Sequence, residues 1–80
     1  NDEKGVRGMK PRALKSARTE LGYTQAYMAN VLGMCVDSYS KKERGKTAFS
    51  DEEKLLLVRT LNLSIQQFNK IFYNGELPVA

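Results

Sequence analysis

The sequence predicts an all-α fold, a compact bundle of five short helices, and three observations carry that prediction. Apolar residues recur three and four positions apart, the period of a helix face, and no stretch reads convincingly as a strand. The apolar stretches begin at residues suited to helix starts, among them Pro11, Thr24, Ser50 and Ser64, and glycines close the first two at Gly22 and Gly33. The chain of 80 residues is one domain's worth, too short for a doubly wound sheet or an eight-stranded barrel and able to bury only a small core.

Taken in order, residues 1–10 (NDEKGVRGMK) are polar, contain two glycines and lack an apolar period. They read as a flexible arm or a vector-derived remnant, with Met9 a candidate native start, and residues 11–80 as the domain. Pro11 has the fixed φ that suits a first helical turn; Leu14, Ala17, Arg18 and Leu21 follow at helical spacing, and Gly22 caps the end. Lys10, Arg12, Lys15 and Arg18 make this helix basic. Thr24 caps a second helix over residues 25–32, with Met28, Ala29 and Leu32 facing inward, and Gly33 ends it. A third helix runs over about residues 36–43 behind Cys35, a poorer cap than Ser or Thr. Lys41, Lys42, Arg44 and Lys46 crowd its C-terminal end, where cations meet the helix dipole favourably. Ser50 with Glu53 and Ser64 with Gln67 are capping boxes that open a fourth helix to Leu61 and a fifth to about Tyr73. Asn74-Gly75 and Pro78 then stop the fifth.

The charge is uneven. The net charge is +4, from 13 basic and 9 acidic residues, but residues 1–50 hold ten of the bases against five acids. A basic half joined to a near-neutral half points to an anionic partner docking on one side. The chain has no histidine and one cysteine, which excludes a histidine triad, a Cys–His dyad and a Cys/His zinc cluster. The lone Cys35 argues against a disulfide scaffold and suits a reducing cytoplasm. No apolar run approaches the roughly 18 residues of a membrane span, and the polar N-terminus does not resemble a secretory leader.

Two short helices joined by a tight glycine turn form a helix-turn-helix. Ala29 is small enough for the two helices to cross closely, and Gly33 reverses the chain without a Cβ clash. The motif residues are Leu14-Lys15-Ser16-Ala17-Arg18, Gly22-Tyr23-Thr24-Gln25, Met28-Ala29, Leu32-Gly33, Ser38-Tyr39-Ser40, Glu43-Arg44-Gly45-Lys46 and Leu61-Asn62-Leu63-Ser64. On these, residues 14–68 resemble the phage repressor/Cro (lambda repressor-like) helix-turn-helix family. The Lys46–Glu53 and Ile71–Gly75 stretches also resemble small regulators of phages and mobile elements of Gram-positive bacteria.

The resemblance implies roles. Helix three would enter the major groove, about 12 Å wide. Val36, Asp37, Ser40 and Lys41 would face base edges: Lys41 toward guanine, Asp37 toward cytosine, Val36 toward a thymine methyl. Arg44, Lys46 and Ser38 would hold the phosphate backbone, and Gln25 would touch a phosphate and brace helix three. The simpler alternatives are a dipole-stabilising Asp37, an exposed apolar Val36 and a solvated Lys41-Lys42 end. The family's inward-packing Glu implies a partly buried Arg18–Glu43 pair, the alternative being that Glu43 offsets its lysine neighbours. Lys42 stands where many relatives have a core-packing apolar residue; its stem would cover that patch while its ammonium reaches solvent or phosphate.

Leu55, Leu56, Leu57 and Val58 are more apolar surface than one face uses, and helix five adds Ile65, Phe68, Ile71, Phe72 and Tyr73. Either the two helices share a broad buried face, or they form a two-fold homodimer on DNA. The leading reading is a sequence-specific regulator of double-stranded operator DNA, a phage or mobile-element repressor acting in the cytoplasm. The alternative is an antirepressor or antitoxin-type protein that uses the fold to bind a protein partner. No enzymatic activity and no cofactor are expected, since no nucleophile has a base beside it.

Overall fold

The computed structural model describes residues 9–73. Among them are five α-helices and no strand: α1 (Pro11–Glu20), α2 (Gln25–Leu32), α3 (Val36–Glu43), α4 (Asp51–Leu61) and α5 (Ile65–Tyr73). The boundaries follow local chemistry. Pro11 opens α1 from an extended Lys10. The Thr24 hydroxyl accepts from the Tyr27 N–H at 3.0 Å and opens α2. In the Ser50 box, Ser50 N–H donates to the Glu53 carboxylate (2.8 Å) while Glu53 N–H donates to the Ser50 hydroxyl (3.1 Å). The Ser64 box repeats this with Gln67 at 2.9 and 3.1 Å. Cys35 makes no capping bond, so α3 alone of the three middle helices starts without a side-chain cap.

Helix α1 ends at Glu20, one residue short of the expected Leu21, because the last turn tightens: Leu21 N–H donates to the Arg18 carbonyl. Gly33 adopts φ +74°, and Met34 N–H then reaches back to the Ala29 carbonyl at 3.0 Å. That left-handed residue ends α2 and turns the chain toward α3. Asn62 closes α4 in the same conformation at φ +53°, a cap that the sequence reading did not assign. The Asn74, Gly75 and Pro78 stop signals lie outside the described residues.

The core gathers Leu14 of α1, Met28, Ala29 and Leu32 of α2, Tyr39 of α3, Leu57 and Leu61 of α4, and Ile71 and Phe72 of α5. Phe49, from the α3–α4 connection, is buried at their centre, and its ring meets Tyr39 (6.0 Å) and, edge-on, Phe72 (5.9 Å). Two residues read as part of the arm belong to the packed body: Met9 is half-buried against the core, and Lys10 N–H donates to the Ile71 carbonyl at 2.7 Å. Not all of the apolar surplus is covered. Leu55 is 57% exposed and Ile65 68% exposed, while Leu57, Ile71 and Phe72 are buried.

Candidate nucleic-acid interface

Helices α2 and α3 meet around Gly33 and present α3 along the surface. Periodicity decides which of its residues look outward. Tyr39 and Glu43, four apart, point into the body, so the opposite face is left to Asp37, Lys41 and, just past the helix end, Arg44, while Val36, three before Tyr39, lies on their side of the helix but is exposed at its first residue. Val36 is 45% exposed, Asp37, Lys41, Arg44 and Lys46 are exposed, and Ser40 and Ser38 are half-buried. Among the described residues none covers Asp37, Lys41 or Arg44. The carbonyl of Ser40 accepts a long contact from Arg44 Nε (3.3 Å), and the Ser38 hydroxyl lies 3.3 Å from the Cys35 sulfur. The exposed Cys35 thiol is shifted below its usual range, first by that Ser38 contact.

A buried polar cluster fixes α3 from behind. Arg18 of α1 donates to Glu43 through Nε (2.6 Å) and through its terminal nitrogen (3.2 Å). Gln25 of α2 donates to the same carboxylate at 2.8 Å, and the Tyr39 hydroxyl at 2.9 Å. Arg18 also donates to the Tyr23 carbonyl at 2.8 Å, which ties down the α1–α2 connection. Three helices thus converge on one carboxylate that is only 3% exposed. Burial alone would raise the Glu43 pKa, but the bonds from Arg18, Gln25 and Tyr39 outweigh it and hold the carboxyl below its ordinary range. Burial and the neighbouring Glu43 push the Tyr39 hydroxyl well above its ordinary value, so it remains a donor. Among the described residues no buried side-chain polar atom lacks a partner.

The sequence reading placed Gln25 at both the phosphate and the brace; its amide is turned to the brace. Tyr39, which it assigned no role beyond the motif, is the third donor to Glu43. The i, i+4 spacing of Tyr39 and Glu43 was the available signal. Lys42 departs from expectation. Its ammonium reaches neither open solvent nor the outward face, but donates to both oxygens of Glu53, at 2.8 and 3.0 Å. The α3–α4 connection folds back around Phe49 and brings the start of α4 beside the end of α3, which supplies the carboxylate. Tyr27 on the first turn of α2 is 45% exposed, with its ring 4.6 Å from that of Tyr23.

No described helix is long and apolar enough to cross a membrane, and no described cluster of His, Cys, Asp or Glu could hold a metal. No curated protein and no solved structure matches the chain. A helix-turn-helix family model matches residues 14–68, the stretch from α1 into α5 that holds both the outward face and the cluster behind it. That match covers more than half of the sequence, and the chain belongs to the helix-turn-helix family of Cro and phage-repressor type, a family of DNA-binding regulators.

Proposed function

We propose that this domain is a sequence-specific reader of double-stranded DNA and acts as a transcriptional repressor of a phage or mobile element. The observation that carries the reading is the exposed row Asp37, Lys41 and Arg44, with Val36 exposed at the helix start and Lys46 beside it, on a helix anchored from behind by Glu43. Lys41 pairs with a guanine edge, Val36 packs on a thymine methyl and Asp37 accepts from a cytosine amino group. Ser40 lines the same groove, while Arg44, Lys46 and Ser38 meet phosphates and set the register. The free N–H groups of the first turn of α2 lie against a further phosphate, while Gln25 braces α3 through Glu43.

Half-sites in such operators lie about 34 Å apart, so two domains must be joined across them. The face that joins them is the shallow apolar groove of about 270 Å³ between α4 and α5, lined by Leu55, Val58, Leu63, Ile65 and Phe68. Its two exposed large apolar residues, Leu55 and Ile65, are left over by burial within one chain.

Selection of bound sequences from a random duplex library tests this. A palindrome with two half-sites is the expected result. No enrichment, together with no duplex binding at low salt, would overturn it. A protein partner is the reading that Asp37 favours, since an acid on the outward face repels phosphate; co-purification of a stoichiometric protein with no duplex shift would establish it.

A further inference from the structure

Four cations stand together around the end of α3: Lys41, Lys42, Arg44 and Lys46. Among the described residues three of them meet no carboxylate, and Lys42 alone is matched, by Glu53. We propose that Glu53 lowers sequence-blind affinity for duplex DNA by holding the Lys42 ammonium off it, so that this cation adds no phosphate contact. The inference rests on the DNA-binding reading above.

The geometry favours a lasting hold over a fleeting surface pair. Lys42 Nζ donates to both carboxylate oxygens, and the two side chains are only 21% and 19% exposed. Surface pairs are usually weak because both long side chains must be ordered to form them. Here the carboxylate is already ordered, because the Ser50 N–H donates to the same Glu53 oxygen at 2.8 Å in the α4 capping box. Only the lysine has to be fixed. Lys42 lies one helical step from the proposed base-reading Lys41, on the flank of α3 beside its outward face, and a freed ammonium on its four-carbon stem swings from that flank toward the phosphate backbone. Each cation placed on a phosphate raises affinity for every sequence alike and leaves discrimination unchanged or poorer. A relative with an apolar residue at this position has no such charge to restrain.

The test is Glu53→Gln. Glutamine keeps an oxygen for the Ser50 N–H, so the cap of α4 survives, which a melting curve checks. Binding to a random-sequence duplex is measured from 50 to 200 mM salt for the wild type, Glu53→Gln, Lys42→Met and the double variant. Glu53→Gln is expected to bind more tightly at low salt and to steepen the log–log salt slope by about 0.9, a further loss of about threefold across that range. Lys42→Met is expected to keep the wild-type slope, and the double variant to return to it. A general effect of one lost negative charge would persist in the double variant and would overturn the proposal. So would an unchanged slope in Glu53→Gln, or a slope flattened by about 0.9 in Lys42→Met. Those outcomes leave DNA binding itself standing; a wild type that binds no duplex with salt dependence overturns both.

Discussion

Replacing Arg18 or Glu43 alone should damage the domain more than replacing both. Glu43 accepts from four nitrogen and oxygen donors at 2.6 to 3.2 Å, and it is 3% exposed, with Arg18 6% exposed. Water therefore cannot take the place of a missing partner. Arg18→Met leaves a buried carboxylate with two neutral donors; Glu43→Met leaves a buried guanidinium with only the Tyr23 carbonyl. Each such orphaned charge costs about 3–5 kcal/mol. The double variant removes both charges and fills the space with thioether stems. It leaves the buried Tyr39 hydroxyl without its acceptor, a loss of about 1–3 kcal/mol, while half-buried Gln25 can find water. The coupling energy should then exceed about 3 kcal/mol. Total stability for a chain of this length is about 4–12 kcal/mol, so urea unfolding followed by circular dichroism needs a stabilising osmolyte for the single variants. Additive losses, or single losses below about 1 kcal/mol, would refute the claim that this cluster is a desolvated clamp.

Lys41→Ala should lower operator affinity by about 1–3 kcal/mol and relax preference at one base position, whereas Arg44→Ala should weaken all sequences alike and reduce the salt slope by about one; a Lys41→Ala variant with intact preference would remove Lys41 from the base-reading set. Glu43 and Glu53 are both held below their ordinary pKa, so the stability they contribute is present above the unfolded value near 4.3 and is lost as pH falls through their lower folded values. The urea midpoint should hold from about pH 7 to 5 and fall below about 4, and Glu43→Gln should flatten that fall; a midpoint unchanged down to pH 3 would contradict it. Ile65→Lys should leave the melting temperature of the monomer nearly unchanged, because the side chain is 68% exposed, while abolishing cooperative binding to paired half-sites; persistent cooperativity in a gel-shift titration would move the dimer face elsewhere.

All five helices, and most of their ends, follow from local sequence. Gln25–Leu32 and Val36–Glu43 fall where Thr24, Gly33 and the apolar spacing put them, because caps and turns act within about four residues. The outward positions of α3 were reached from the family resemblance; Val36, Asp37 and Lys41 are exposed and Ser40 is half-buried. The Arg18–Glu43 contact was reached from the family resemblance, because 25 residues of chain separate its partners and no local rule links them. Which distant side chains meet depends on how the helices pack. Phe49 lies in a connection with no periodicity, yet it is buried between Tyr39 and Phe72 because the α3–α4 connection folds across the core. Met9 and Lys10 read as polar arm, but the α5 backbone passes close enough to bond Lys10. Lys42 found Glu53 because packing α4 beside α3 offered a carboxylate already held by its own cap. Local hydrogen-bonding rules act along the chain, while charge pairing and burial act through space, and space is set only once all five helices have packed.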